Sequence, residues 1–242
     1  MDPDIKTENI ADDAQITSVA ALGDPLRRAL YRYVVAQSAP VNRDQAAEAL
    51  SIPRHTAKFH LDRLVAEGLL EVEFARPPGR TGPGAGRPAK FFRRASGEVT
   101  VNLPPRHYDL AGRLLAQAVT ESQRSAVPVG DALAHASREW GQSLGVEVRD
   151  HLGNPADRSE AIAATTEVLT ECGYEPRIDD DGVTLINCPF HSLAREYTDL
   201  VCGMNLELID GLIEGLPGSG LEARLEPAPD RCCVRIAATS PR

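Results

Sequence analysis

The sequence predicts an α+β protein of two domains, and three observations predict it. The 242 residues are 42% hydrophobic and 25% charged, enough to bury a core in each of two domains of ordinary size. The net charge of −9 is unevenly spread: residues 1–16 carry −4, residues 17–98 carry +5 and residues 99–242 carry −10. Helical periodicity dominates the first half, whereas strands alternate with helices in the second, where Cys188, Cys202, Cys232 and Cys233 gather.

The acidic segment 1–16 is expected to be a disordered tail. Asp24-Pro25 is a helix start, Asp as cap and Pro in the first turn, and Leu26, Leu30, Tyr33 and Val34 follow on one face. Asn42 with Gln45 three residues on is a capping-box pattern opening a short helix through Leu50. Pro53 starts the next helix, with Ala57, Leu61, Leu64 and Val65 inward and Gly68 closing it. Two helices joined by a turn of about three residues have the helix-turn-helix layout. Leu70, Val72 and Phe74 then alternate with Glu71 and Glu73 as a half-buried strand, and Lys90 to Arg93 supplies a returning one. Between them, eight of the twelve residues 77–88 are Gly or Pro and two are Arg, so this loop cannot serve as a core element.

This layout places a winged helix-turn-helix DNA-binding domain at 17–98, the one part of the chain with the field to attract phosphates. The second helix of such a motif enters the major groove by its N-terminal end. Arg54, His55, Thr56, Lys58 and Phe59 are therefore candidate DNA contacts, with Arg43 at the start of the preceding helix and Arg80, Arg87 and Lys90 along the wing. From GDPLRR through SIPRHTAKFHLDRLVAEGLLEV to GPGAGRPAKFF, residues 17–96 resemble the winged-helix domain of ArsR-like bacterial repressors. The resemblance implies a homodimer on double-stranded, palindromic operator DNA. Pro53 departs from the Ser frequent at that cap and removes the cap's side-chain acceptor.

Residues 99–127 are expected to hold a linker and a dimerisation helix, with Leu110, Leu114 and Ala118 recurring every four residues in Tyr108 to Gln123. An intrachain core leaves the same stripe. Residues 128–242 are expected to form an α+β sensor domain. It opens on an Ala-rich helix, Gly130 to Leu144, ending at Gly145. A helix from Ser159 to Cys172 follows, then a hairpin of Glu175 to Ile178 and Val183 to Ile186 about an Asp-Asp-Asp-Gly turn. A long helix from about Asp199 to Leu216 and strands Glu222 to Leu225 and Cys232 to Ile236 complete it.

No segment approaches the roughly 18 apolar residues of a membrane helix, and the N-terminus lacks the basic and apolar character of a signal peptide. The expected setting is the cytoplasm with no membrane partner. There an odd five cysteines point to metal ligation, redox chemistry or plain burial. Cys188 and His191, in NCPFH, have a spacing that can bring two ligands to one ion, although each cysteine taken singly also reads as a small buried hydrophobe. NCPFHSLAREYTDLVCGMNLELIDGLIEGL followed by CCVRI is similar to the C-terminal half of the SufR-type regulators of iron–sulfur cluster assembly, which are ArsR-like in their first half. That resemblance implies a repressor controlled by an iron–sulfur cluster, usually [4Fe-4S], held by three cysteines and one further ligand. The matching positions are Cys188, Cys202 and one of Cys232 or Cys233. Neighbours on a strand face opposite ways, so one of the doublet is expected to ligate and the other to support it. His191 is the candidate fourth ligand, and Cys172 is expected not to coordinate.

A structural or sensory zinc bound by the same residues, or a small-molecule ligand, is the alternative. An enzyme with Cys188 as nucleophile and His191 as base lacks an orienting third group, so the chain is not expected to be an enzyme.

Overall fold

The computed structural model describes residues 8–75, 88–152, 157–179, 182–216 and 220–239. The chain divides into two units, Met1–Val101 and Asn102–Arg242. The segment 99–127, set apart by its sequence as linker and dimerisation helix, thus falls almost wholly in the second unit.

The first unit opens on α1 (Glu8–Ala21). The segment expected to be disordered through residue 16 is therefore helical from Glu8 onward. Long-range hydrogen bonds explain this: Ser18 Oγ donates to the Glu67 carbonyl at 2.7 Å, and Gln15 Oε1 accepts from the Thr100 N–H at 2.6 Å. Helix α2 (Pro25–Val35) starts where Asp24 Oδ1 accepts from the Arg27 N–H at 2.8 Å, with Pro25 needing no donor. A two-residue strand β1 (Val41–Asn42) leads into α3 (Arg43–Ala49), whose capping box is formed by Asn42 and Gln45 in both directions. Ser51, at φ 53°, turns the chain into α4 (Arg54–Ala66). Gly68, at φ 70°, turns it out again, a conformation that costs a residue with a Cβ.

Strand β2 (Leu70–Ala75) pairs antiparallel with β3 (Ala89–Arg94), Leu70 opposite Arg94 and Ala75 opposite Ala89, and β1 pairs with the other edge of β3. Leu30, Val34, Ala46, Ala57, Leu61, Leu64 and Phe92 form the core beneath this sheet.

The second unit begins with α5 (Tyr108–Ser125) against α6 (Val129–Leu152). Leu110, Leu114 and Ala118, a stripe that an intrachain core and a dimer interface would leave alike, are buried within the single chain. Helix α6 also runs straight through Gly145, where the sequence predicts its end. The reason is tertiary. Helix α9 (Thr198–Glu214) crosses α6 so closely that Gly141 faces the backbone of Leu208, Gly211 faces that of Arg138, and a Cβ on Gly145 would stand 2.7 Å from Gly215 Cα. Arg138 then joins the two helices through Glu207, Asp210 and Glu214, at 2.6 Å from Glu207 and 2.9 Å from Asp210.

Helix α7 (Arg158–Glu171), capped by Asp157, leads into β4 (Pro176–Asp179) and β5 (Gly182–Leu185). A short α8 (His191–Glu196) precedes α9, and β6 (Leu221–Leu225) and β7 (Val234–Ala238) close an antiparallel sheet of order β4-β5-β7-β6. The final strand begins at Val234, two residues later than predicted, so the Cys232/Cys233 doublet lies in the loop before it. Helix α9 lies against β6 and β7 and buries Leu208, Ile209 and Leu212, each worth roughly 1.5–3 kcal/mol of apolar transfer.

Candidate nucleic-acid interface and thiol site

Helix α4 turns Ala57, Leu61 and Leu64 into the core, which leaves Arg54, His55, Lys58 and Phe59 on its outer side, with Thr56 half-buried. Phe59 is 66% exposed and meets the His60 ring edge to face at 5.2 Å. A large aromatic side chain left in water at this position is available to a base edge or a thymine methyl group. Pro53 caps the helix without a side-chain hydrogen bond, as its sequence predicts.

The structure also places acids among these cations. Asp44 stands 3.6 Å from Arg43 and 3.3 Å from Arg54, and Asp62 binds Lys58 at 2.9 Å and Lys90 as well. Reading the sequence for basic residues passes over Asp44 and Asp62, although the i,i+4 spacing of Lys58 and Asp62 signals their pairing. Lys90 Nζ lies over the Phe92 ring, 5.0 Å from its centre. Arg80 and Arg87, the predicted wing contacts, lie outside the described residues.

In the second unit, three separate elements bring four thiols together. Cys188 follows β5, Cys202 is in the second turn of α9, and Cys232 and Cys233 precede β7. The Cys232 N–H donates to the Leu185 carbonyl at 2.8 Å, which lays the doublet's loop beside the end of β5. Below it, Arg106 Nη1 reaches the Asn187 amide oxygen and the Cys188 carbonyl at 3.2 Å, while Asn187 Nδ2 donates to the Gly173 carbonyl at 2.6 Å.

Each thiol perturbs the protonation of the next in the order Cys188, Cys232, Cys233, Cys202. Both members of the doublet take part. The alternation of a strand, on which the expectation of one ligand and one supporting residue rests, does not apply in the loop before Val234. Cys188, Cys202 and Cys232 are 8%, 5% and 2% exposed, whereas Cys233 is half-buried.

Negative charge concentrates on one sulfur. Hydrogen bonds from the thiols of Cys188 and Cys233, opposed by burial and aided by the Val234 N–H and the Asn205 amide, hold Cys232 well below the ordinary thiol range. Donation to Cys232, together with burial, pushes Cys188 and Cys233 up. Burial raises Cys202 too, against a hydrogen bond from Cys233. Asn205 Nδ2 donates to Cys232 Sγ at 3.1 Å, and the buried Tyr174 hydroxyl donates to Asn205 Oδ1. Neither Asn205 nor Tyr174 carries a signal in the sequence.

His191 begins α8 with its ring exposed, and its link to the site is the backbone bond from its N–H to the Cys188 carbonyl at 3.0 Å. Cys172 ends α7 and is half-buried. No disulfide joins the five cysteines, all of which are described. Four soft thiol donors from three elements suit iron or zinc in their chemistry. In their present mutual contact, among the described residues, no three or more His, Cys, Asp or Glu side chains are arranged to hold a metal ion.

Residues 22–73 match a family model described as a helix-turn-helix domain. The match begins just before α2 and runs into β2, and so takes in the whole of α2, α3 and α4. No curated protein and no solved structure matches the chain. Among the described residues, no helix is long and apolar enough to cross a membrane.

Proposed function

We propose that this chain is a sequence-specific transcriptional repressor, acting as a cytoplasmic homodimer on operator DNA and controlled by an iron–sulfur cluster, [4Fe-4S], in its second unit. It is a binding protein on this reading and not an enzyme. The observation that carries the DNA half is the helix-turn-helix match over 22–73, together with the exposed Arg54, His55, Lys58 and Phe59 on α4. What supports the sensory half is the convergence of the buried Cys188, Cys202 and Cys232 with the half-buried Cys233, and the resemblance of the sequence around them to SufR-type regulators.

A cluster held there supplies an oxidant-sensitive centre ligated by thiolates. The chain's own residues prepare its anchorage: Asn205 orients and polarises the Cys232 sulfur, Tyr174 fixes the Asn205 amide, and Arg106 steadies the Cys188 loop. By linkage, whatever binds the operator-competent form more tightly raises its DNA affinity, and its loss lowers it.

The test is anaerobic purification with a visible spectrum and iron, sulfide and zinc analysis, on wild type and on Cys188→Ala and Cys202→Ala. Iron and sulfide that disappear in both variants are expected, with tighter binding by the loaded form to duplexes selected from a random pool at fixed salt. Equal binding by loaded and metal-free protein removes the control mechanism. Stoichiometric zinc without colour establishes instead the second reading, a structural or sensory zinc site held by the same soft thiol donors.

A further inference from the structure

Arg54, Lys58 and Asp62 follow one another at four-residue intervals along the same side of α4. The Asp62 carboxylate holds two ammonium groups at once. Oδ2 accepts from Lys58 Nζ at 2.9 Å, one turn back on the same helix, and Oδ1 accepts from Lys90 Nζ on β3, 28 residues further along the chain. Burial pushes the Asp62 carboxyl up, but the hydrogen bonds from Lys90 and Lys58 outweigh it and hold the group below its ordinary range. With its side chain 33% exposed, Asp62 remains within reach of a ligand.

One carboxylate therefore occupies two of the candidate DNA-contacting cations, and ties α4 to β3. Partly exposed ion pairs are weak enough for a phosphate to compete with, so this arrangement biases the two lysines without blocking them. Random duplex offers phosphates, for which the lysines must leave Asp62. A sequence that presents a cytosine amino group to this part of the helix offers the carboxylate a donor of its own.

We propose that Asp62 is a specificity-determining residue, which holds Lys58 and Lys90 back from phosphates on random DNA and releases them when its carboxylate accepts a hydrogen bond from a cytosine amino group. The inference rests on the DNA-binding reading above and adds to it the base class that Asp62 recognises.

The test compares full-length wild type with Asp62→Asn on a random-sequence duplex of about 30 base pairs between 50 and 200 mM salt. Each freed lysine adds one phosphate contact, so Asp62→Asn binds more tightly at low salt and loses about tenfold more affinity across that range than wild type. In a pool selection its preference for cytosine at one position relaxes. Lys58→Ala with Lys90→Ala is the check that leaves Asp62 intact: because both lysines are already held, it changes the slope of log affinity against log salt by less than about one. A fall of about two in that slope, or identical slopes for wild type and Asp62→Asn, overturns the role of Asp62 and leaves DNA binding standing. Failure of both proteins to bind any duplex overturns the DNA-binding reading along with it.

Discussion

The side-chain amide of Asn205 donates to the sulfur of Cys232 at 3.1 Å, both groups being buried, at 1% and 2% exposure. Asn205 sits one turn beyond Cys202 on α9, so the helix that supplies one thiol also supplies the hydrogen bond that stabilises charge on another. The Tyr174 hydroxyl fixes the amide's orientation, leaving its N–H directed at sulfur.

Replacing Asn205 by Leu removes that donor at nearly constant volume. The Cys232 thiol then titrates at higher pH, because its charged form has lost one of the bonds that favour it. Thiolate absorbance near 240 nm, followed against pH in reduced, metal-free protein, reads the change. Tyr174→Phe shifts the titration in the same direction by less, and coincident curves for wild type and Asn205→Leu refute the role of the amide.

The crossing of α6 and α9 tolerates no extra carbon. Gly211→Ala places a Cβ against the Arg138 backbone and is expected to cost the second unit about 1–3 kcal/mol. The chain's single tryptophan, Trp140, lies in α6 and reports this by fluorescence during denaturant unfolding. Gly112→Ala, in α5 with open space around it, is the control and gains up to about 1 kcal/mol from helix propensity. A neutral Gly211→Ala contradicts the close crossing.

Phe59 contributes little to the fold at 66% exposure. Phe59→Ala therefore melts within about 0.5 kcal/mol of wild type, as exposed substitutions do, yet selects a different sequence from a random duplex pool. An unchanged selected sequence removes Phe59 from base reading.

Asp24 caps α2, and the hydrogen bond from the Arg27 N–H, with the nearby charges of His60 and Arg27, lowers its carboxyl. A group lowered by folding stabilises the fold fully above its unfolded value of about 3.9 and loses that contribution as pH falls through its lower folded value. Asp24→Asn keeps an acceptor at the cap but removes the titration. Its melting temperature, followed by circular dichroism, is expected to fall less steeply than that of wild type below about pH 4. Parallel curves refute the linkage.

Much of the first unit was legible in its sequence. Asp24-Pro25, the Asn42/Gln45 box and Gly68 act within four residues of where they stand, through caps and a positive φ, and the helix starts they mark lie within about a residue of the observed ones, whereas α1, held by distant partners, went unread. In the second unit the same local reading failed at Gly145 and at the doublet. A glycine that ends a helix and one that admits a neighbouring helix look alike until Gly215, seventy residues later, is known to lie against it. Cys232 and Cys233 read as strand because they adjoin one, but the chain enters the sheet at Val234.

By itself the sequence determined the two-part organisation, the helix-turn-helix with its outward Arg54, His55, Lys58 and Phe59, and the set of thiols in the second half. These follow from spacing and composition, which act over one or two turns of chain. The tertiary structure alone decided that the Leu110, Leu114 and Ala118 stripe is covered by α6, that all four thiols touch in one chain, that Asn205 and Tyr174 serve Cys232, and that Asp62 takes Lys90 as its second cation. The Asn205, Tyr174 and Asp62 contacts join groups 27 or more residues apart, and the stripe and the thiols are likewise brought together from separate elements. Such a distance is set by how helices and strands share a core, and no local pattern encodes it.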